Sequence, residues 1–301
     1  MSILNTMKII IIITGVILLN GCQSSSNQTD LKKFGNNSEE YSPKIGEWVR
    51  YVFYNIPSPI EMANFIKQHN LNYDPSVLSG YGRENQFLTQ EYQALNLGVY
   101  GADFSYCSVF NQNQEALKYL GSIRELTNML KIPPEESNKI VQKLENNMEN
   151  RDSLITLATD LFLNADSYLK ENKRESSAVL ILLGSWVEGM YIATHLKHKT
   201  ETQEYRERIS EQKFSFYNIF TLFETHKKEN PLTKQIFAKL VELKSVFDEI
   251  KIKSGNVEIE IIADYKKAVL KAEQQIEIPE TTLPRLKEEL SELRMLILNK
   301  N

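Results

Sequence analysis

The chain has 301 residues, 42% of them hydrophobic and 25% charged, with a formal net charge of -4. That balance argues against a disordered polyelectrolyte and a multi-span membrane protein, and the lack of a basic excess argues against a nucleic-acid binder, so no nucleic-acid partner is expected. With 12 Gly, 9 Pro and 2 Cys, the chain is poor in helix breakers yet long enough to bury a core without disulfides or metals, so a mainly α fold is expected.

The N-terminal segment has a short start ending in Lys8, an apolar stretch from Ile9 to Leu19, and Gly21 before Cys22. About eleven residues suit the apolar core of a secretory signal peptide and fall short of the roughly 20 needed to span a bilayer as a helix. Residues 1–21 are therefore read as a signal peptide. Leu19-Asn20-Gly21-Cys22 resembles the lipobox of bacterial lipoproteins, Asn20 being a less usual occupant of its place. The resemblance implies cleavage before Cys22, acylation of its thiol and attachment to a membrane through it. One acyl chain binds only marginally, so stable anchoring needs the several chains this resemblance implies. Residues 22–45 then read as the lipidated Cys and a flexible tether, since Gln23 to Thr29 is polar and uncharged and has nothing to bury. Cys107 is left without a disulfide partner and reads as a buried structural thiol.

Residues 46–200 are expected to form a helical core domain, opening with the aromatic run Trp48 to Tyr54 as a short strand or extended arm. Ser58-Pro59-Ile60-Glu61 has capping-box chemistry and predicts a helix from Pro59 to about His69. Helical patterning resumes near Glu84 and runs to about Phe110, then from Gln112 to Leu130, where Pro133-Pro134 interrupts it. Further helices are expected from Pro134 to Asn147, from Asn150 to about Leu169, and from Lys173 to His198. The segment Ser177 to Ala193 is apolar on nearly all sides, which places it at the centre of a bundle. A membrane-spanning reading suits it less well, because it is short and holds Glu188.

Residues 201–301 are expected to be amphipathic C-terminal helices packed on that core: Glu204 to Lys227, a helix opening at Asn230-Pro231, and Pro284 to about Leu298. Ile236, Leu240, Leu243, Phe247 and Ile250 form a helix–helix seam. Val257 to Ile261 alternates with period two and follows Ser254-Gly255, which favours a small β-hairpin with Gln275 to Ile278; the competing reading is one helix from Ile261 to Ile276.

Four segments, Ile56 to Glu61, Leu95 to Asp103, Asp152 to Leu154 and Gly184 to Tyr191, resemble a group of uncharacterised lipoproteins from Bacteroidota. The resemblance implies a mostly helical, exported, lipid-anchored protein and carries no activity. Some lipoproteins of that phylum reach the cell surface through an acidic cluster after the acylated Cys. Residues 23–29 are uncharged and Asp30 is the first acid, which favours the periplasmic face of the outer membrane.

Gly98, Gly101, Ala102 and Ser105 recur at i, i+3, i+4 and i+7, a stripe of small residues on one helical face. An interior helix Gly costs up to about 1 kcal/mol relative to Ala, so close packing or a ligand is expected to offset it, with packing the default. Asp103 falls on the neighbouring stripe with Leu95, Val99, Tyr106 and Phe110, and so faces apolar surroundings. Gly184, Glu188, Tyr191 and His195 share a stripe of the central helix. Buried carboxylates need partners or raised pKa values, so a polar network with Tyr, Ser or Arg is expected around Asp103 and Glu188. The alternatives are a small-ligand or peptide pocket at the same place and, more remotely, catalysis.

No cofactor or metal centre is expected. No Glu-x-x-His occurs, His195 and His198 would give zinc only two ligands, and Walker, dinucleotide and Ser-elbow motifs are absent. The chain reads as a non-enzymatic binding or scaffolding component of the cell envelope, with an envelope protein as partner. A helical sensor or carrier is the rival, and an envelope hydrolase a weaker one.

Overall fold

In the computed structural model, described residues are 59–69, 71–133, 168–169, 171–196, 202–262 and 267–299, together with the strand Ile9–Ile13. The fold is mainly α, a multi-helix bundle around a central apolar helix, with a small β-hairpin towards the C-terminus. Its helices are α1 (Pro59–Gln68), α2 (Gln90–Val109), α3 (Asn113–Met129), α4 (Glu175–His195), α5 (Gln203–His226), α6 (Pro231–Asp248) and α7 (Thr282–Ile297). The helices expected at 134–147 and 150–169 lie outside the described residues, apart from helical Tyr168 and Leu169. So do the tether, the run 48–54, Ser58 and His198.

By length and composition α4 could cross a bilayer, but most of it is buried within the bundle, against α1, α2, α5 and α7. The centre holds a second helix that the amphipathic pattern did not single out: α2 is buried continuously from Gln93 to Val109 and packs most extensively on α4. Their crossing explains the small residues. A Cβ on Gly98 would overlap the Ile181 carbonyl and lie 2.7 Å from the Ser185 amide nitrogen, and a Cβ on Gly184 would overlap the Leu95 carbonyl. The two glycines thus bring the backbones into direct contact.

Short polar devices set the helix ends. Thr89 and Thr202 accept from the amides of Tyr92 and Tyr205 at the starts of α2 and α5, and Asn230 and Thr233 form a reciprocal capping box on α6. Cations from other elements close the C-terminal ends: Lys67 Nζ donates to the Val109 carbonyl at 2.6 Å, and Arg174 Nη1 to the Leu130 carbonyl at 2.7 Å. Both meet the negative end of a helix dipole.

The helical unit spans Val52–Lys251 with Glu277–Asn301, so parts of both expected stretches, 46–200 and 201–301, lie in it. A second compact unit holds three strands, β1 (Ile9–Ile13), β2 (Lys251–Ile262) and β3 (Lys267–Glu277), in the order β1-β3-β2. β2 and β3 are the hairpin favoured by the alternation of Val257 to Ile261, and they are longer than that alternation alone suggests. β1 runs antiparallel to β3, with Ile9 opposite Ala272 and Ile13 opposite Ala268.

Candidate functional site

The loop before α2 organises the polar interior. Asp74 accepts from the Ser76 amide at 2.9 Å and caps a short 3-10 turn, Pro75–Val77. Beyond it Gly80 and Gly82 take φ of 86° and 77°, a left-handed region that suits glycine. Their amides donate to the Tyr119 hydroxyl and the Ser122 hydroxyl, both at 3.2 Å. The loop is thereby pinned to α3, and Ser79 and the Val77 carbonyl are turned inward.

Two fully buried carboxylates, Asp103 on α2 and Glu188 on α4, share this interior with Arg294 of α7, which is 8% exposed. Arg294 binds Glu188 through both fork positions: Nε donates to Oε2 at 2.6 Å and Nη2 to Oε1 at 2.6 Å. Nη2 also donates to the Val77 carbonyl at 2.9 Å. The guanidinium carbon lies 3.8 Å from the centre of the Tyr191 ring, a cation–π contact. Charge, hydrogen bonds and ring face together offset the desolvation of the pair.

One guanidinium compensates one carboxylate, and Glu188 holds it. Burial, and then the Glu188 charge, push the Asp103 carboxyl well above its ordinary range, against the opposing pull of Ser79 and Arg294. Asp103 Oδ2 accepts from the Ser79 amide at 3.1 Å and from its hydroxyl. Oδ1 is buried and has no hydrogen-bond partner among the described residues. Both Ser79 donors point at Oδ2, which leaves Oδ1 as the oxygen that can carry the proton of a neutral Asp103 as a donor.

Tyr191 also stacks on His195, with ring centroids 3.8 Å apart and 19° between planes. His195 Nδ1 faces the Tyr191 carbonyl at 2.9 Å and Nε2 faces the Ser291 hydroxyl at 2.8 Å. Burial, helped by Lys287 and Arg294, lowers its pKa to about 4, so the ring is neutral at pH 7. A proton on Nδ1 suits the carbonyl beside it. Such a ring is a poor general base near neutrality.

All four residues expected in a polar network are thus placed. Glu188 and Tyr191 meet at Arg294, His195 joins through Tyr191, and Asp103 faces Ser79 rather than a wholly apolar wall. Sequence reasoning missed the partners themselves. Arg294 had a signal: it occupies the apolar stripe of Leu286, Leu290 and Ile297, where a cation needs a buried counter-charge. Ser79 had none, because it lies in the irregular loop before α2, where no periodicity aims a side chain at Asp103. Cys107 is buried as expected, and burial pushes its thiol up to about 12. A surface carboxylate trio, Glu242, Glu289 and Glu292, was not foreseen; Lys239 reaches two of its members at 2.5 Å each.

Comparison with known protein families, curated proteins and solved structures gives no match to any of them.

Proposed function

We propose that the chain is exported, cut before Cys22, acylated there, and acts at the cell envelope as a binding or scaffolding component without catalysis of its own. The observation that carries this reading is the N-terminal segment, an apolar Ile9–Leu19 stretch ending in Leu19-Asn20-Gly21-Cys22 with a polar, uncharged tether behind it. The uncharged tether favours the periplasmic face of the outer membrane. The interior chemistry is consistent with a non-catalytic role: Glu188 is held by Arg294, His195 is neutral and bonded on both nitrogens, and the Cys107 thiol is buried.

The test is metabolic labelling with an alkyne fatty acid. Wild type should carry the label and partition into detergent, and Cys22→Ser should do neither. Equal labelling of the two would overturn the anchor.

A second reading, a small-ligand sensor or carrier, is favoured by one observation, the buried Asp103 Oδ1 that has no partner among the described residues. With its proton there, Asp103 would recognise a small hydrogen-bond acceptor. A high-resolution structure with one water on Oδ1 and no organic density would remove that reading.

A further inference from the structure

The β unit offers an interaction surface separate from the buried network. β3 is its central strand, bonded on one edge to β2 and on the other to β1, whose residues Ile9–Ile13 run antiparallel to Ala268–Ala272. β1 lies inside residues 1–21, the segment that export would remove. A mature chain keeps β2 and β3, and the β3 edge that β1 covers loses its partner strand. A two-stranded hairpin is marginal in water, and an open edge is a template for another strand.

We propose that in the mature chain this edge pairs with β3 of a second copy, giving a four-stranded sheet in the order β2-β3-β3-β2. The inference rests on the reading that residues 1–21 are removed. Two identical antiparallel strands related by a two-fold axis need one residue that faces itself. With Ala272 at the axis, Lys271 stands opposite Glu273 of the partner subunit, and the symmetry repeats that pair on the other side. Leu270 then stands opposite Gln274 and Ala268 opposite Ile276, while alternation puts Ala268, Leu270, Ala272, Gln274 and Ile276 on one face. Moving the axis one residue either way would set two lysines or two glutamates against each other, which opposes pairing. With Ala272 at the axis Lys267 also stands opposite Glu277, whereas an axis at Leu270 would set only Lys267 against Glu273. Charge complementarity therefore favours the Ala272 register, whose paired stretch includes the residues 268–272 that β1 covers in the full chain.

The experiment uses the full-length gene expressed with export, and protein purified from membranes in detergent, with its N-terminus read by mass spectrometry. Under mild oxidation Ala272→Cys should form a disulfide between copies, because directly opposed residues lie about 4.5–5.5 Å apart at Cα, within disulfide reach. Leu270→Cys should form none, since its copy is four register positions away; the buried Cys107 does not compete. In sedimentation equilibrium, Lys271→Glu and Glu273→Lys should each weaken the dimer by about tenfold, and the double exchange should return it to within about threefold of wild type. A cleaved chain that is monomeric, cross-linking equally at both cysteines, or single variants that dimerise like wild type would each overturn the self-pairing. An N-terminus that still begins at Met1 would instead overturn the export reading, and the inference with it.

Discussion

Replacing Glu188 by Leu removes the counter-charge of a guanidinium that is 8% exposed, while leaving Arg294 tied to the Val77 carbonyl and the Tyr191 ring. Arg294 then has two N–H groups, formerly 2.6 Å from carboxylate oxygens, facing an apolar side chain. Breaking one partner of a buried pair costs about 3–5 kcal/mol, because the remaining charge is uncompensated. At about 2–4 °C per kcal/mol for a domain of roughly 150–250 residues, melting should fall by roughly 6–20 °C. Glu188→Gln also removes the counter-charge but keeps a carbonyl acceptor for one N–H, so its loss should lie at the lower end of that range, about 3 kcal/mol. Arg294→Met, which strands Glu188 in turn, should resemble Glu188→Leu. The double variant Glu188→Leu with Arg294→Met removes both charges, so it should recover to within about 2 kcal/mol of wild type, short of full recovery because Val77 loses its donor. Thermal melting followed by helical circular dichroism, as a double-mutant cycle, measures this directly. Single variants melting within about 2 °C of wild type, or a double variant no better than the worse single, would refute the reasoning.

Gly98→Ala and Gly184→Ala should each destabilise by about 1–3 kcal/mol or more, since the new Cβ meets rigid backbone, whereas Gly189→Ala meets only Met62 carbons at 3.7 and 3.8 Å and should be neutral or stabilising; urea midpoints compare the three. The folded pKa of Asp103 is raised, so its contribution to stability is complete below the unfolded carboxylate value and is lost as pH rises through the folded one. Asp103→Asn should remove that decline, and parallel urea midpoints of the two proteins across pH would contradict it. The pKa of His195 is lowered from 6.5 to about 4, so its contribution is complete above the unfolded value and is lost as pH falls between these two values. An imidazole titration by nuclear magnetic resonance checks this, and a midpoint near 6.5 would count against the buried, neutral ring.

Where periodicity alone decides an element, the sequence was sufficient. The expected helices at Gln112 to Leu130, Glu204 to Lys227 and Pro284 to Leu298 lie within about two residues of α3, α5 and α7, because capping and apolar spacing are local properties. Period two at Val257 to Ile261 favours a hairpin but leaves one helix from Ile261 to Ile276 open, and it is the pairing of β3 in the sheet that decides for strand. The sequence also determined that Glu188 and Asp103 need partners, since a carboxylate on an apolar face cannot stay ionised alone. Which partners they take was decided by tertiary structure. Arg294 is 106 residues from Glu188 and Ser79 is 24 from Asp103, and no local spacing encodes such separations. The second central helix was hidden for a related reason. A stripe of small residues announces close packing without naming what packs there, and only the crossing of α2 and α4, with each glycine against the other helix's backbone, shows that Gly98 answers to Ile181 and Gly184 to Leu95.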